Sequence, residues 1–225
     1  AYTGIRLPTL NEHYRPFVVF PVVTQANADL ENERLEGFEV GVDWYPSEGV
    51  GVSLTAFDNR VENAIANVTL EANLRQRQNL PAIDAQGIEA TGYVVLGRIS
   101  LDASLAFSDA TIDGSGDSLA LDGNRPPQTL DFAASASIAW EPAEGWRFSG
   151  TLRHTAAQFE DDQENDRLPP ATTVDLFATA EIYKGISVVL RAENLLDEEI
   201  VTRNTGGVID LGVPRTVWGG VRVNF

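Results

Sequence analysis

The chain contains no cysteine, which excludes a disulfide framework and any zinc or iron–sulfur site ligated by thiolates. It also contains no methionine, so a processed chain or a piece of a longer protein is expected. Basic residues are scarce: 16 Lys and Arg against 33 Asp and Glu leave a formal charge of −17. That balance excludes a nucleic-acid partner, whose phosphates demand basic surface. The only histidines, His13 and His154, are far apart in sequence, so no histidine metal cluster is expected. No stretch approaches the roughly 18 apolar residues of a transmembrane helix. The opening AYTGIRLPTLNEHYRPF has neither the basic nor the apolar region of a secretory signal. By bulk hydropathy the chain would pass as a soluble acidic protein, with 43% hydrophobic residues in 225, enough for one sizeable domain or two small ones.

The periodicity points elsewhere. ISLDASLAF places Ile99, Leu101, Ala103, Leu105 and Phe107 on one face and Ser100, Asp102, Ser104 and Ala106 on the other. FAASASIAW (132–140) and VDLFATAEI (174–182) repeat the pattern, the period-two signature of strands with one apolar and one polar face. The same reading predicts strands near 38–46, 50–62, 86–96, 98–109, 130–141, 146–158, 172–183, 186–200 and 216–225, with residues 1–7 finishing an earlier strand. No helical stripe competes with them, so the chain is predicted to be all-β.

Connections alternate in length. The segments at 46–49, 96–98, 141–145 and 183–185 are tight, whereas those at 63–85, 110–129, 159–171 and 201–215 are long and polar. Trp44, Tyr45, Trp140, Trp146, Tyr183 and Phe225 fall at the short-turn end, and Phe38, Phe107, Phe132 and Phe159 toward the loop end. Two aromatic belts on strands of about ten residues are the signature of a transmembrane β-barrel, in which only alternate residues meet lipid. A soluble β-sandwich shares the alternation, but its core would be poorly filled by the abundant Ala and Gly of the apolar faces.

Several ordered stretches carry a resemblance. LRAENLLDEEIVTR (190–203), GVPRT (212–216) and a last strand closing on Phe225 resemble the C-terminus of TonB-dependent outer-membrane receptors. There an Asn-Leu-Phe-Asp sequence, a loop, a Gly-x-Pro-Arg and a final strand closing on an aromatic follow one another. GIRLPTLNEHYRPF (4–17), ANADLENERLEGFEVGVDW (26–44), LTAFDNRVENAIANVTL (54–70) and NLPAIDAQGIEATG (79–92) are similar to the family's preceding segments. The matching signature positions here are Asn194, Leu195, Asp197, Gly212, Pro214 and Arg215; Leu196 replaces the usual Phe and Ile200 a frequent Tyr.

The resemblance implies an antiparallel up-and-down barrel meander of about ten strands. It would be the C-terminal portion, over residues 1–225, of a 22-stranded barrel in the outer membrane of a Gram-negative bacterium, without the plug domain. It further implies TonB-dependent uptake of a scarce nutrient, with a ferric siderophore the leading class and cobalamin or a carbohydrate the others. No cofactor and no catalysis are implied. The implied partners are outer-membrane lipid and lipopolysaccharide, the plug domain, the TonB complex and the barrel assembly machinery, which would read Phe225. Two alternatives stay open: a self-contained small barrel or adhesin-like surface protein, and a soluble sandwich binding module.

Among the residues, Glu39, Asp43, Ser53, Thr55, Glu89, Ser100, Asp102, Ser104, Arg147, Thr151, Arg153, Asp175, Glu181, Arg191 and Glu193 share the predicted lumen face, where plug docking and solvation suffice to explain them. Arg75, Arg77 and Arg125 are expected in outward loops and, with Arg153, are candidates to attract an anionic chelate. Asp161, Asp162, Glu164 and Asp166 are candidate ligands for a divalent cation, although a solvated charge run accounts for them and the spacing is not that of an EF-hand. No Gly-x-Ser-x-Gly elbow accompanies His154, which by register lies opposite to Arg153, toward lipid or the outer interface. The same register makes a prediction: Leu101→Arg should cost about 1–4 kcal/mol of folding free energy in lipid, and Ser100→Arg little. Urea titration of vesicle-inserted protein measures both, and equal tolerance would refute the assignment of faces.

Overall fold

The computed structural model describes residues 1–205 and 207–224. The strands are β1 (Tyr2–Arg6), β2 (Phe17–Val19), β3 (Val22–Gln25), β4 (Glu33–Ser47), β5 (Val50–Glu71), β6 (Leu74–Leu96), β7 (Ile99–Asp113) and β8 (Phe132–Trp140). They continue with β9 (Trp146–Thr155), β10 (Gln158–Phe159), β11 (Arg167–Leu168), β12 (Ala171–Tyr183), β13 (Ile186–Glu193), β14 (Val201–Thr205), β15 (Val208–Leu211) and β16 (Thr216–Val223). Among the described residues helix is confined to α1 (Leu10–Tyr14) and a 3-10 turn at Gly116–Leu121. Ten strands form one antiparallel meander in the order β1-β4-β5-β6-β7-β8-β9-β12-β13-β16. β10 with β11 and β14 with β15 make small hairpins in the outward connections.

Register places the alternating residues as expected. Along one row Leu101 lies opposite Ile138, Ile138 opposite Gly150, Gly150 opposite Leu176, Leu176 opposite Ala192 and Ala192 opposite Val217. This apolar face is uncovered: Phe38 is 59%, Trp44 61% and Leu190 55% exposed. In a sandwich these residues would be buried beneath a second sheet, and among the described residues no second layer covers them. Apolar area left in water forgoes about 25 cal/mol per Å², so the face is built for a hydrocarbon solvent. The opposite face is polar and bonded to itself. Ser104 and Ser135 lie 2.8 Å apart, Ser137 and Thr151 3.0 Å apart, Arg153 pairs with Asp175, and the Tyr2 hydroxyl donates to Glu39 at 2.9 Å.

At one end the turns are tight. Gly97 and Gly185 adopt φ of +60° and +74°, a backbone region in which a Cβ is penalised. The other end departs from expectation. Residues 63–85, expected as a long polar loop, are mostly strand, because β5 and β6 run on to a two-residue tip at Ala72 and Asn73. Twenty-two residues at about 3.3 Å each reach about 70 Å, far beyond an apolar band about 25 Å tall. Above that band both faces meet water, so the alternation that marks a membrane strand disappears and the segment reads as loop. Conversely, β13 stops at Glu193 rather than near 200, and β9 at Thr155 rather than 158.

The extension carries a core of its own. Ala64, Val68, Leu80, Ile112 and Leu121 bury one another where the 3-10 turn folds onto β5, β6 and β7. Among the described residues β1 pairs only with β4, and β16 only with β13. The register between the two edges that a self-contained ten-strand barrel requires is therefore not seen. Phe225, the expected assembly signal, lies outside the described residues. Leu80 is fully buried, so Leu80→Ala should destabilise the extension by about 2–5 kcal/mol. Limited proteolysis should then cut within residues 63–85, while insertion of the membrane strands stays at the wild-type level.

Candidate functional site

On the inner side of the tall β5–β6 hairpin, residues 7–25 form a strap. A reciprocal cap begins α1: the Glu12 amide donates to Thr9 Oγ1 (3.2 Å) and the Thr9 amide to Glu12 Oε2 (2.7 Å), the pattern that satisfies the first free amides of a helix. Arg6 pairs with Glu12 at 3.1 Å and also with Glu33. Burial pushes the Glu12 carboxyl up, but the bonds from Thr9 and Arg6 outweigh it and hold the group below its ordinary value. At the other end of the helix, Arg77 Nη1 donates to the carbonyls of Asn11 (2.6 Å) and Arg15 (3.0 Å). Its guanidinium also sits 5.1 Å from the centre of the Phe17 ring, within cation–π range. β3 then lies parallel to the start of β6, Val23 opposite Leu74. Arg77 is thus a clamp on the strap and not a loop cation.

The acidic connection at 159–167 closes the other side. Asp162 is 2% exposed and accepts from the amide (2.8 Å) and hydroxyl (2.7 Å) of Thr69. Asp161, also buried, accepts from the amides of Asn165 (2.9 Å) and Asp166 (2.8 Å). Glu164 accepts from the Arg125 amide at 2.9 Å, and the Arg125 guanidinium pairs with Asp131 at 3.0 Å. Asp161 and Asp162 are therefore buried turn and docking acceptors and not part of a solvated charge run. Among the described residues no three His, Cys, Asp or Glu side chains converge as metal ligands.

Between strap, hairpin and loops lies a cavity of about 820 Å³, within the range of small-molecule sites. Arg75, Arg77, Arg203, Glu160 and Asp162 reach it, with Phe17, Val19 and Val22 supplying apolar wall. Of the arginines singled out by sequence, Arg75 and Arg77 meet here, though on β6 and not on a loop. Arg125 and Arg153 do not line the cavity, and each is paired with an acid. Arg203 and Glu160 were not among the sequence candidates, since they stand in polar connections without a motif. His154 lies opposite Arg153 in direction as expected, against Phe132 at 5.7 Å and bonded to Thr172 at 2.8 Å.

Residues 1–195 match the family described as TonB dependent receptor-like, beta-barrel. The chain belongs to this family. It is 27% identical over 180 residues to the ferrioxamine receptor of Yersinia enterocolitica, covering 74% of this chain and 24% of that protein. Its fold is similar to that of the copper transporter OprC (TM-score 0.75, 16% identity, 99% of this chain and 36% of the other). It is similar also to the ferric yersiniabactin uptake receptor FyuA of Yersinia pestis (TM-score 0.75, 17% identity, 93% and 33%). The chain thus spans about a quarter of the ferrioxamine receptor and about a third of the two solved chains. Membership in the TonB-dependent receptor β-barrel family places this segment in the outer membrane of a Gram-negative bacterium.

The turn at residues 194–197 has a physical role. Asn194 is buried and held at φ +47°, and Asp197 at φ +60°, a conformation that Asn and Asp tolerate better than most residues. The Asn194 side chain accepts from the Glu198 amide (2.9 Å) and donates to the carbonyls of Glu198 (2.8 Å) and Val213 (3.2 Å). The Asn194 backbone amide donates to the Asp175 carboxylate (2.9 Å), and the Leu195 backbone amide to the Val174 carbonyl (2.8 Å). Asp197 accepts from the Arg215 amide at 2.9 Å, Gly212 donates to Ile200, and the Pro214 carbonyl accepts from Thr216. A Cβ on Gly212 would lie 3.1 Å from that of Ile200. The motif latches the outer ends of β12, β13 and β16 together. Asn194→Ala should loosen this latch by about 2–3 kcal/mol, the cost of stranded partners. Hydrogen exchange of the amides at 198–213 should then be about 30- to 140-fold faster, with Asn194→Asp less affected.

Proposed function

We propose that this chain is the C-terminal portion of a 22-stranded, plugged barrel that imports a scarce nutrient in a TonB-dependent manner, with a ferric siderophore as the class of cargo. The observation that carries the reading is the inverted sheet. Its bare apolar face and self-bonded polar face suit a wall between lipid and an aqueous lumen, and a cavity opens at the outward end. The related and similar proteins named above are receptors or transporters of ferrioxamine, ferric yersiniabactin and copper, which favours a metal chelate over cobalamin or a carbohydrate.

In this reading the unpaired edges of β1 and β16 join further strands of the same barrel, because an open ladder is not tolerated in hydrocarbon. The polar row from Glu39 to Glu193 faces a plug domain, which would be shifted by the TonB complex to admit the cargo. The apolar row meets outer-membrane lipid and lipopolysaccharide, and the last strand, with Phe225, is recognised by the assembly machinery. Radioiron uptake tests the whole. Cells lacking their own iron receptors and producing the full-length receptor should accumulate a ferric chelate, and deletion of TonB should abolish accumulation while leaving surface binding intact. Accumulation that survives loss of TonB would overturn the mechanism.

A further inference from the structure

From the outward cavity we infer that Arg75 and Arg203 are the specificity-determining cations of the receptor, and that they select a chelate bearing anionic oxygen together with at least one N–H donor. The inference rests on the uptake reading and deepens it by naming the chemistry of the cargo.

The argument is one of free valences. Most arginines at the outward end are already engaged: Arg6 with Glu12 and Glu33, Arg60 with Asp84 and Asp113, Arg77 with two carbonyls, and Arg125 with Asp131. Arg75 differs. Its backbone is fixed between Thr24 and Thr69, yet among the described residues its guanidinium has no hydrogen-bond or ion-pair partner, and it faces the cavity. Arg203 gives one arm to Asp210 at 3.3 Å, while its Nε is buried without a partner. A buried charged donor without an acceptor is costly, and an anionic oxygen entering the cavity would remove that cost for Arg203 and be drawn by Arg75 as well.

The acids of the same wall do not cancel this preference. Glu12 is held by Arg6 and Thr9, and Asp162 by the two bonds from Thr69. Glu160 keeps one oxygen bonded to Gln128 at 3.3 Å, whereas its Oε2 is buried and unpartnered. That oxygen calls for a donor, so the complementary ligand presents an amide or ammonium N–H there as well as anionic oxygen to the arginines. Phe17, Val19 and Val22 provide apolar wall for the remaining body of the ligand. An amino-acid-conjugated catecholate or carboxylate chelate of iron meets all three requirements, and a neutral hydroxamate chelate does not.

Binding to full-length receptor in the outer membrane of non-energised cells tests this with two radioiron probes, a serine-linked ferric tris-catecholate and a neutral ferric tris-hydroxamate. The wild type should bind the catecholate the more tightly. Arg75→Gln and Arg203→Gln should each weaken it about tenfold, Arg75→Lys by less, and Glu160→Gln should weaken it too, while affinity for the hydroxamate stays constant. Resistance of intact cells to trypsin checks assembly, and Arg75→Gln, which breaks no contact, keeps the test decisive if Arg203→Gln fails to assemble. A wild type that prefers the neutral chelate, or arginine variants that lower both affinities equally or neither, would overturn the inference and leave the uptake reading standing. A wild type that binds no iron chelate of either kind would overturn both.

Discussion

Backbone hydrogen bonding sets the terms for everything else in this chain. In hydrocarbon an unpaired amide or carbonyl costs several kilocalories, so a membrane segment must be either a helix or a strand paired on both sides. The ten-strand ladder supplies that pairing for every strand between β4 and β13, with one direct consequence for side chains: each residue faces lipid or lumen in strict turn. Charge can then sit within a few ångströms of hydrocarbon without meeting it, as Arg153 and Asp175 do on the face opposite Leu152 and Leu176. Among the described residues the same ladder leaves β1 and β16 each with an unmatched side, and it is this that the proposed larger barrel would satisfy.

Where the strands leave the membrane, the solvent changes and the packing rules invert. Within the bilayer apolar side chains point outward and the sheet needs no core. Above it, the same β5, β6 and β7 bury Val68, Leu80 and Ile112 beneath a folded connection, as a soluble protein would. That second, water-side core stiffens the tall hairpin, and a rigid hairpin is what lets Arg77 hold the strap and Thr69 hold the acidic loop at fixed places. The cavity is a consequence of these two dockings and not of any single motif.

The arginines show how function and structure compete for the same residue type. Surface ion pairs are individually weak, yet each pair here removes one cation from the pool that could attract a ligand. Arg77 and Arg125, promising in sequence, are consumed by carbonyls and by Asp131. Arg203, which no motif flags, is left half-satisfied at the cavity. The acidic run at 161–166 follows the same logic in reverse, since Asp161 and Asp162 are spent on backbone amides and Thr69.

Period two, the aromatic belts and the small residues of the apolar faces were enough to identify the meander strands and which residues share the apolar face, because a bilayer imposes its pattern on every alternate residue. The ordered motifs from Arg6 to Arg215 were enough to point to the family. Tertiary structure alone decided three other things: that residues 63–85 are strand, that the signature turn is a latch around Asn194, and which charged groups remain open to a ligand. Above the membrane water wets both faces of a strand, so local sequence no longer distinguishes strand from loop. Whether a guanidinium or carboxylate is free depends on partners 39 or 93 residues away, as with Arg125 and Glu164 or Thr69 and Asp162, and no local pattern carries that information.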